Sequence, residues 1–463
     1  MIKRRQLLKA APALVAAPSL ARAAASMRVD APFALGVAAG DPSATGLVLW
    51  TRLCSSLEGS FSSSNETVDW CIATDPECKQ VVQSGTATAA RHRAHCLHLF
   101  IEGLRPNTEY FYRFTHGGAA STVGTARTLA EPGARVDALR LALTSCQEYS
   151  EGYFTAYRDL VAQNPDLVFH CGDYIYESAS GTVRPMPFSW REATRLTHYR
   201  ALYALYRQDP DLRAAHAAAA WIVIWDDHEV VNDWGPEHYL PSARNYAAPG
   251  VREHQARIRI AKRAFLEHMP LRASAVLYDG EERPLYRQLA VGDLAEFNLL
   301  DTRSYRDTPV CIEAKERDFA PCDDLADTGR SLLGAEQERW LEGGFGSSGC
   351  RWTCLGQTTV LAPFNRGSKS APLFRTDSWD NYPAARERLL QTVASSGANN
   401  VLSLAGNIHA FYRGELTAAA DAADPTPIQE IVTTSVSAAG GGLERYDATQ
   451  ANQALNPAMT FFD

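Results

Sequence analysis

The sequence predicts a β-sandwich over residues 31–130 followed by an α/β domain over residues 138–463. Three observations carry that expectation. The chain has 463 residues, more than one hydrophobic core usually serves, so two domains are the default. Between residues 31 and 130, clusters of β-branched and aromatic residues are separated by Gly, Pro and Asn turns. From Leu139 onward, short apolar runs end in polar residues and alternate with helical spacing, as in a sheet covered by helices.

Ahead of both regions stands MIKRRQLLKAAPALVAAPSLARAAA. A basic start, a short apolar run and a small-residue end make an export signal over residues 1–25. Arg4-Arg5 followed by Leu7-Leu8-Lys9 reads as a twin-arginine signal, with Ala21-Arg22-Ala23 as its cleavage site. The apolar run is too short, and too rich in Ala and Pro, to anchor in a bilayer. A periplasmic or secreted protein is therefore expected. A route that exports folded proteins also favours a metal loaded before export.

Within the β region, TGLVLWTRL, VDWCIA, HCLHLFIEGL and TEYFYRFT read as strands. GLRPNTEYFYRF resembles the late strands of fibronectin type III domains. There Leu104 would pack, Pro106-Asn107 would turn, and Tyr110 or Tyr112 would make a tyrosine corner. EPGARVDAL follows as a linker.

Within the α/β region, LRLALTSCQ, DLVFHCGD, WIVIWDDHE, LAEFNLLDTR, RWTCLGQTTV and NNVLSLAGNIH read as buried strands with polar C-terminal ends. Ligand sites of α/β sheets form at such ends. TAYRDLVAQ and VREHQARIRIAKRAFLEHM read as helices. Residues 412–427, rich in Ala and Asp, read as a surface loop.

Hydrophobic content of 46% and charged content of 21% suit a folded soluble chain. A net charge of −8 argues against a protein that neutralises phosphates along a nucleic acid, and no surface for one is evident. Ten cysteines in an exported chain permit disulfides. Cys311 with Cys322 and Cys350 with Cys354 are both close in sequence, and spacing leaves either pairing open.

Five strand ends hold the candidate chemistry: Ser145-Cys146-Gln147, Gly172-Asp173-Tyr174-Ile175-Tyr176-Glu177, Trp225-Asp226-Asp227-His228-Glu229 with Asn232, Asp301-Thr302-Arg303, and Gly406-Asn407-Ile408-His409. Carboxylates gathered at one sheet edge raise each other's pKa unless a cation offsets them. A carboxylate such as Asp173 can bridge two metals, and a metal pair can clamp a phosphoryl group. A phenolate from Tyr176 with a thiolate from Cys146 favours ferric iron over magnesium. Singly, each residue has a structural explanation. Cys146 would fill a strand end, His409 would be a core histidine, and Arg303 would pair with Asp301. The joint pattern outweighs these.

The ordered set SCQ, HCGDYIYE, WDDHEVVND, LDTRSYR and LAGNIH, with GVAAGDPSATGLVLWTR before it, resembles the PhoD-type alkaline phosphatases of the calcineurin-like metallophosphoesterases. The implied fold is an α/β metallophosphoesterase-like sandwich core preceded by an all-β, fibronectin type III-like domain. The implied cofactors are iron and calcium. Carried over by motif, Cys146, Asp173 and Tyr176 would bind iron with Asp173 bridging, and Asp227 would hold the second metal. His409 would ligate from the last strand, and His228 would contact the phosphate and protonate the leaving oxygen. Asn407 stands where many relatives carry Asp; it keeps a carbonyl donor and loses one negative charge. Arg303 would grip a non-bridging oxygen.

The implied reaction is in-line attack on phosphomonoesters, and on diesters, by a metal-bound hydroxide. The implied partners are a phosphate-ester substrate and the twin-arginine export machinery, with the chain a monomer. Two alternatives compete. One is a phospholipase D-like phosphodiesterase, for which Trp190, Trp225, Trp234 and Trp379 would suit a lipid surface. The other is a non-catalytic binding protein on the same fold, with Asn407 in its favour.

Overall fold

The computed structural model describes residues 32–237, 250–272, 284–312, 318–398, 400–418, 426–440 and 455–462. The expected export signal lies outside them. Two large sheets pack face to face. The first runs in the order Cys96–Ile101, Leu47–Arg52, Val37–Gly40, Ala220–Val223, Leu167–His170, Leu141–Thr144. The second runs Arg287–Val291, Ala295–Leu299, Trp352–Gly356, Val401–Ala405, Thr426–Val432, Tyr412–Ala418, Met459–Phe462. Their inner faces meet where Phe169 of the first sheet lies on Gly356 of the second. The central strands of each sheet are parallel, and those of the first, Leu167–His170 and Ala220–Val223, are buried along their whole length.

The helices flank these sheets. Leu196–Tyr206 and Val251–His268 pack together on the first, and Tyr199, Tyr203 and Tyr206 form one buried face as their spacing predicts. His216, His254 and His268 are buried helix residues. Ala335–Gly344 and Pro383–Ser395 enclose a second apolar cluster on the outer face of the second sheet.

A smaller sheet of Val81–Ala89, Glu66–Ala73 and Glu109–His116, with Gly124–Arg127 on the last, makes the fibronectin-like part. Tyr110 is its corner residue: its hydroxyl accepts from the Arg105 amide at 2.8 Å, while Leu104 is buried and Asn107 turns at φ 47°. The other N-terminal strands take a different place. Val37–Gly40, Leu47–Arg52 and Cys96–Ile101 extend the first catalytic sheet, through parallel pairing of Ala39 with Ala220. Alternation of residues identifies a strand but not its partner.

The structure corrects two sequence expectations and decides a cysteine pairing that spacing leaves open. Residues 412–418 are a strand, paired with Thr426–Val432, because Tyr412 and Leu416 point inward despite the Ala- and Asp-rich run after them. Cys311 and Cys322 are disulfide-bonded, whereas Cys350 and Cys354 are not. Trp225, Trp234 and Trp379 are buried, which removes most of the aromatic surface proposed for lipid. Among the described residues, no helix is long and apolar enough to cross a membrane.

Glu430, wholly buried in the second sheet, accepts from the amides of Leu361 and Ala362 and from Ser403 Oγ. Burial pushes its pKa from the ordinary 4.5 to about 7, with those hydrogen bonds opposing. Between these values the folded chain holds a proton that the unfolded chain has released, so stability falls as pH rises through that window. Glu430→Gln is expected to make the urea-midpoint profile between pH 5 and 7 shallower. An unchanged profile would refute the assignment.

Candidate metal centre

Each candidate ligand stands just past the C-terminal end of a parallel strand. Leu141–Thr144 leads to Cys146, Leu167–His170 to Asp173 and Tyr176, Ala220–Val223 to Asp227 and His228, and Val401–Ala405 to Asn407 and His409. Cys146, Asp173, Asn407 and His409 all have positive φ, at 56°, 56°, 70° and 54°. Such backbone costs about 1–3 kcal/mol per residue and persists only where the surroundings impose it. It turns the chain sharply at the sheet edge. Two glycines make the turns possible. A Cβ on Gly172 would lie 2.4 Å from Asp226 Cβ, and one on Gly406 would lie 2.4 Å from Ser145 Oγ. This explains Gly immediately before Asp173 and before Asn407.

Asp173 is the hub. Its Oδ2 accepts from Tyr176 OH at 3.2 Å and lies 3.5 Å from Cys146 Sγ. Tyr176 OH is also 3.2 Å from His409 Nε2, whose ring is fixed from the other nitrogen by Ala439 O at 2.9 Å. Cys146, Asp173 and His409 can thus present donor atoms within 4.8 Å of one another. So can Asp173, Asp227 and His228, with the His228 amide donating to the other Asp173 oxygen, Oδ1, at 3.3 Å. A third trio, Asp227, Asp233 and Asp377, extends the chain of carboxylates. Asn407 lies partly buried on the turn between Gly406 and His409.

The electrostatics fit a cation. Burial, and then the Asp227 charge, hold the Asp173 carboxyl well above its usual range. Burial followed by Asp173 does the same to the Cys146 thiol and the Tyr176 phenol. Asp227 Oδ1 is buried without a hydrogen bond. A thiol, a phenol, an imidazole and carboxylates in contact are costly as anions alone and favourable as ligands of a multivalent ion.

Arg303 departs from its expected role. It is completely buried, and its guanidinium is taken up by carboxylates: Nε by Asp226 at 2.6 Å, Nη1 and Nη2 by Asp377 at 2.6 and 2.5 Å, with Asp227 at 3.6 Å. No face remains for a phosphate oxygen. Nor is Asp301 its partner; that carboxylate accepts from Trp225 Nε1 and the amides of Arg303 and Ser304. Burial alone would raise the Asp227 carboxyl, but Arg303 and His228 outweigh it and hold it below the usual value.

Two carboxylates within the motifs, Glu229 and Glu177, do positioning work that the sequence does not reveal. Glu229 accepts from the amides of Asp173, Tyr174 and Asp226, tying two strand ends together. Glu177 Oε2 lies 2.7 Å from His228 Nδ1, and the His228 ring stacks on Tyr176 at 4.1 Å. Asp377 lies in no strand-end motif. The signal for it is Arg303 and Arg306 three residues apart, two buried cations that require an anion.

Two facing sheets that deliver such donors to one edge match the arrangement expected of a metallophosphoesterase, and comparison with known proteins shows that class. The PhoD-like phosphatase model matches residues 141–463, and the PhoD-like phosphatase N-terminal domain model matches residues 19–130. Alkaline phosphatase D of Bacillus subtilis (strain 168) is 39% identical over 442 residues, spanning 93% of this chain and 74% of that protein. A solved structure of PhoD superposes with a TM-score of 0.85 at 39% identity, covering 93% of this chain and 82% of the other. The chain belongs to the PhoD-like phosphatase family. It is a phosphoric-ester hydrolase, which sets aside the non-catalytic alternative.

Proposed function

We propose that this site hydrolyses phosphomonoesters and phosphodiesters, with iron held by Cys146, Asp173, Tyr176 and His409, and calcium by Asp173, Asp227 and Asn407. The observation that supports it is Asp173, placed between a thiol–phenol–imidazole group and an Asp–His group. When bound, the metals would neutralise phosphoryl oxygens and lower the pKa of water. His228 is the proton donor to the leaving oxygen. Its Nδ1 is engaged by Glu177, which leaves Nε2 for the substrate. Burial would make its imidazolium costly, but Glu177, Asp227 and Asp173 outweigh this and hold its pKa well above the ordinary 6.5. The proton on the ring is thereby favoured, as a donor to the leaving oxygen requires. We place the protein in the periplasm or outside the cell, exported through the twin-arginine machinery and acting as a monomer.

The test uses mature protein exported by its own signal. Metal content, an absorption spectrum, and hydrolysis of an aryl monoester and diester with and without calcium are recorded. A visible charge-transfer band that disappears in Tyr176→Phe, together with hydrolysis, is the expected result. Colourless, active protein would refute iron while leaving the hydrolase intact. Glu177→Gln removes the largest stabiliser of the imidazolium, so the alkaline limb of the kcat/KM profile is expected to move to lower pH. An unmoved limb would remove Glu177 from the mechanism.

A further inference from the structure

Away from the metal centre, Arg207 closes the helix Leu196–Tyr206 and is completely buried. Its one hydrogen bond runs from Nη2 to His268 O at 3.2 Å; Nε and Nη1 have no protein acceptor. The guanidinium lies over the Trp50 ring at 4.4 Å and beside Tyr174. Asp209, the carboxylate closest in sequence, is committed elsewhere: it takes Arg184 Nη1 at 2.8 Å and the amides of Asp211 and Leu212. Arg303, by contrast, is buried among three aspartates.

A guanidinium cannot escape burial by losing its proton. A buried charge without a counter-charge is among the costliest features a fold can hold. The neighbouring phenols do not supply one. Burial pushes Tyr174 up to about 12 and Tyr112 higher still, even with Arg207 opposing, so both remain neutral. Tyr174 OH is already bonded to His216 Nε2 at 2.8 Å. Tyr112 OH and Tyr203 OH are each buried with no partner. The neighbourhood thus offers unused donors and lacks an anionic acceptor.

We infer that Arg207 holds a small monovalent anion of halide type in the interior, beside the Trp50 and Tyr174 rings. Trp50 comes from the N-terminal strands, and Arg207 and Tyr174 from the catalytic part, so the anion joins the two. It is remote in role from the phosphate site: a buried guanidinium against aromatic rings suits a compact, weakly hydrated ion.

Crystals of the full mature protein grown in sodium bromide test this directly. An anomalous peak within contact distance of Arg207 Nε or Nη1 is expected; ordered water there with no peak would overturn the inference. In solution, chloride replaces gluconate at constant ionic strength while thermal unfolding is followed. Once the site is saturated the midpoint is expected to rise by ~2 °C per tenfold increase in chloride. The rise should vanish in Arg207→Met, which needs no counter-ion. An equal rise in that variant would overturn the inference. Should Arg207→Met fail to fold, the bromide crystal decides alone.

Discussion

Asp173→Asn is expected to lower kcat/KM for an aryl phosphate by ~10³-fold or more and to strip bound metal from both sides of the site. The change is isosteric, but it removes the charge shared by the Cys146–His409 and Asp227–His228 groups. It also relieves repulsion, since Asp227 is the neighbour that most disfavours an ionised Asp173. The metal-free variant should therefore unfold at or above the metal-free wild-type temperature at alkaline pH. This separates a lost site from a lost fold. Full metal content with near-normal turnover in the variant would mean that Asp173 is not the bridge.

Arg303→Met is expected to destabilise the protein by ~3–5 kcal/mol, because it strands Asp226 and Asp377 as buried charges. Arg306 still reaches Asp377, so Asp226 suffers most. Arg303→Lys should recover little, since one ammonium cannot span two carboxylates bound through a fork. Urea denaturation measures the loss. A change below ~1 kcal/mol would show that the aspartates find other compensation. If Arg303 instead gripped substrate, as its motif implies, KM would rise with stability unchanged.

The strand ends were legible because their chemistry is local. An apolar run that stops at GDY, DDH or GNIH announces both the strand and its polar tip, and Cys146, Asp173, Tyr176, Asp227, His228 and His409 do converge. What stayed hidden depends on distant partners. Arg303 reads equally well as a phosphate clamp or as an ion-pair residue until Asp226 and Asp377 are seen around it. Asp377 follows only the two-residue strand Phe374–Arg375, which lies outside both large sheets. Glu229 acts on the amides of Asp173 and Tyr174, more than fifty residues earlier, which no motif encodes. Strand pairing was equally invisible: Val37–Gly40 carries no mark that its neighbour is Ala220–Val223.

That pairing affects how the chain matures. The stretch around Val37 leaves the ribosome long before Ala220–Val223 exists, so its edge waits unpaired through the synthesis of some 180 residues. The same late strand delivers Asp227 and His228. Completion of the first sheet thus brings Asp227 and His228 to the catalytic edge, while His409 arrives with Val401–Ala405 of the second. The two family models leave residues 131–140 between them, yet the pairing of Ala39 with Ala220 joins the regions that they match. A catalytic half expressed alone would expose a hydrogen-bonding edge beside its own active site, inviting aggregation instead of giving a minimal enzyme.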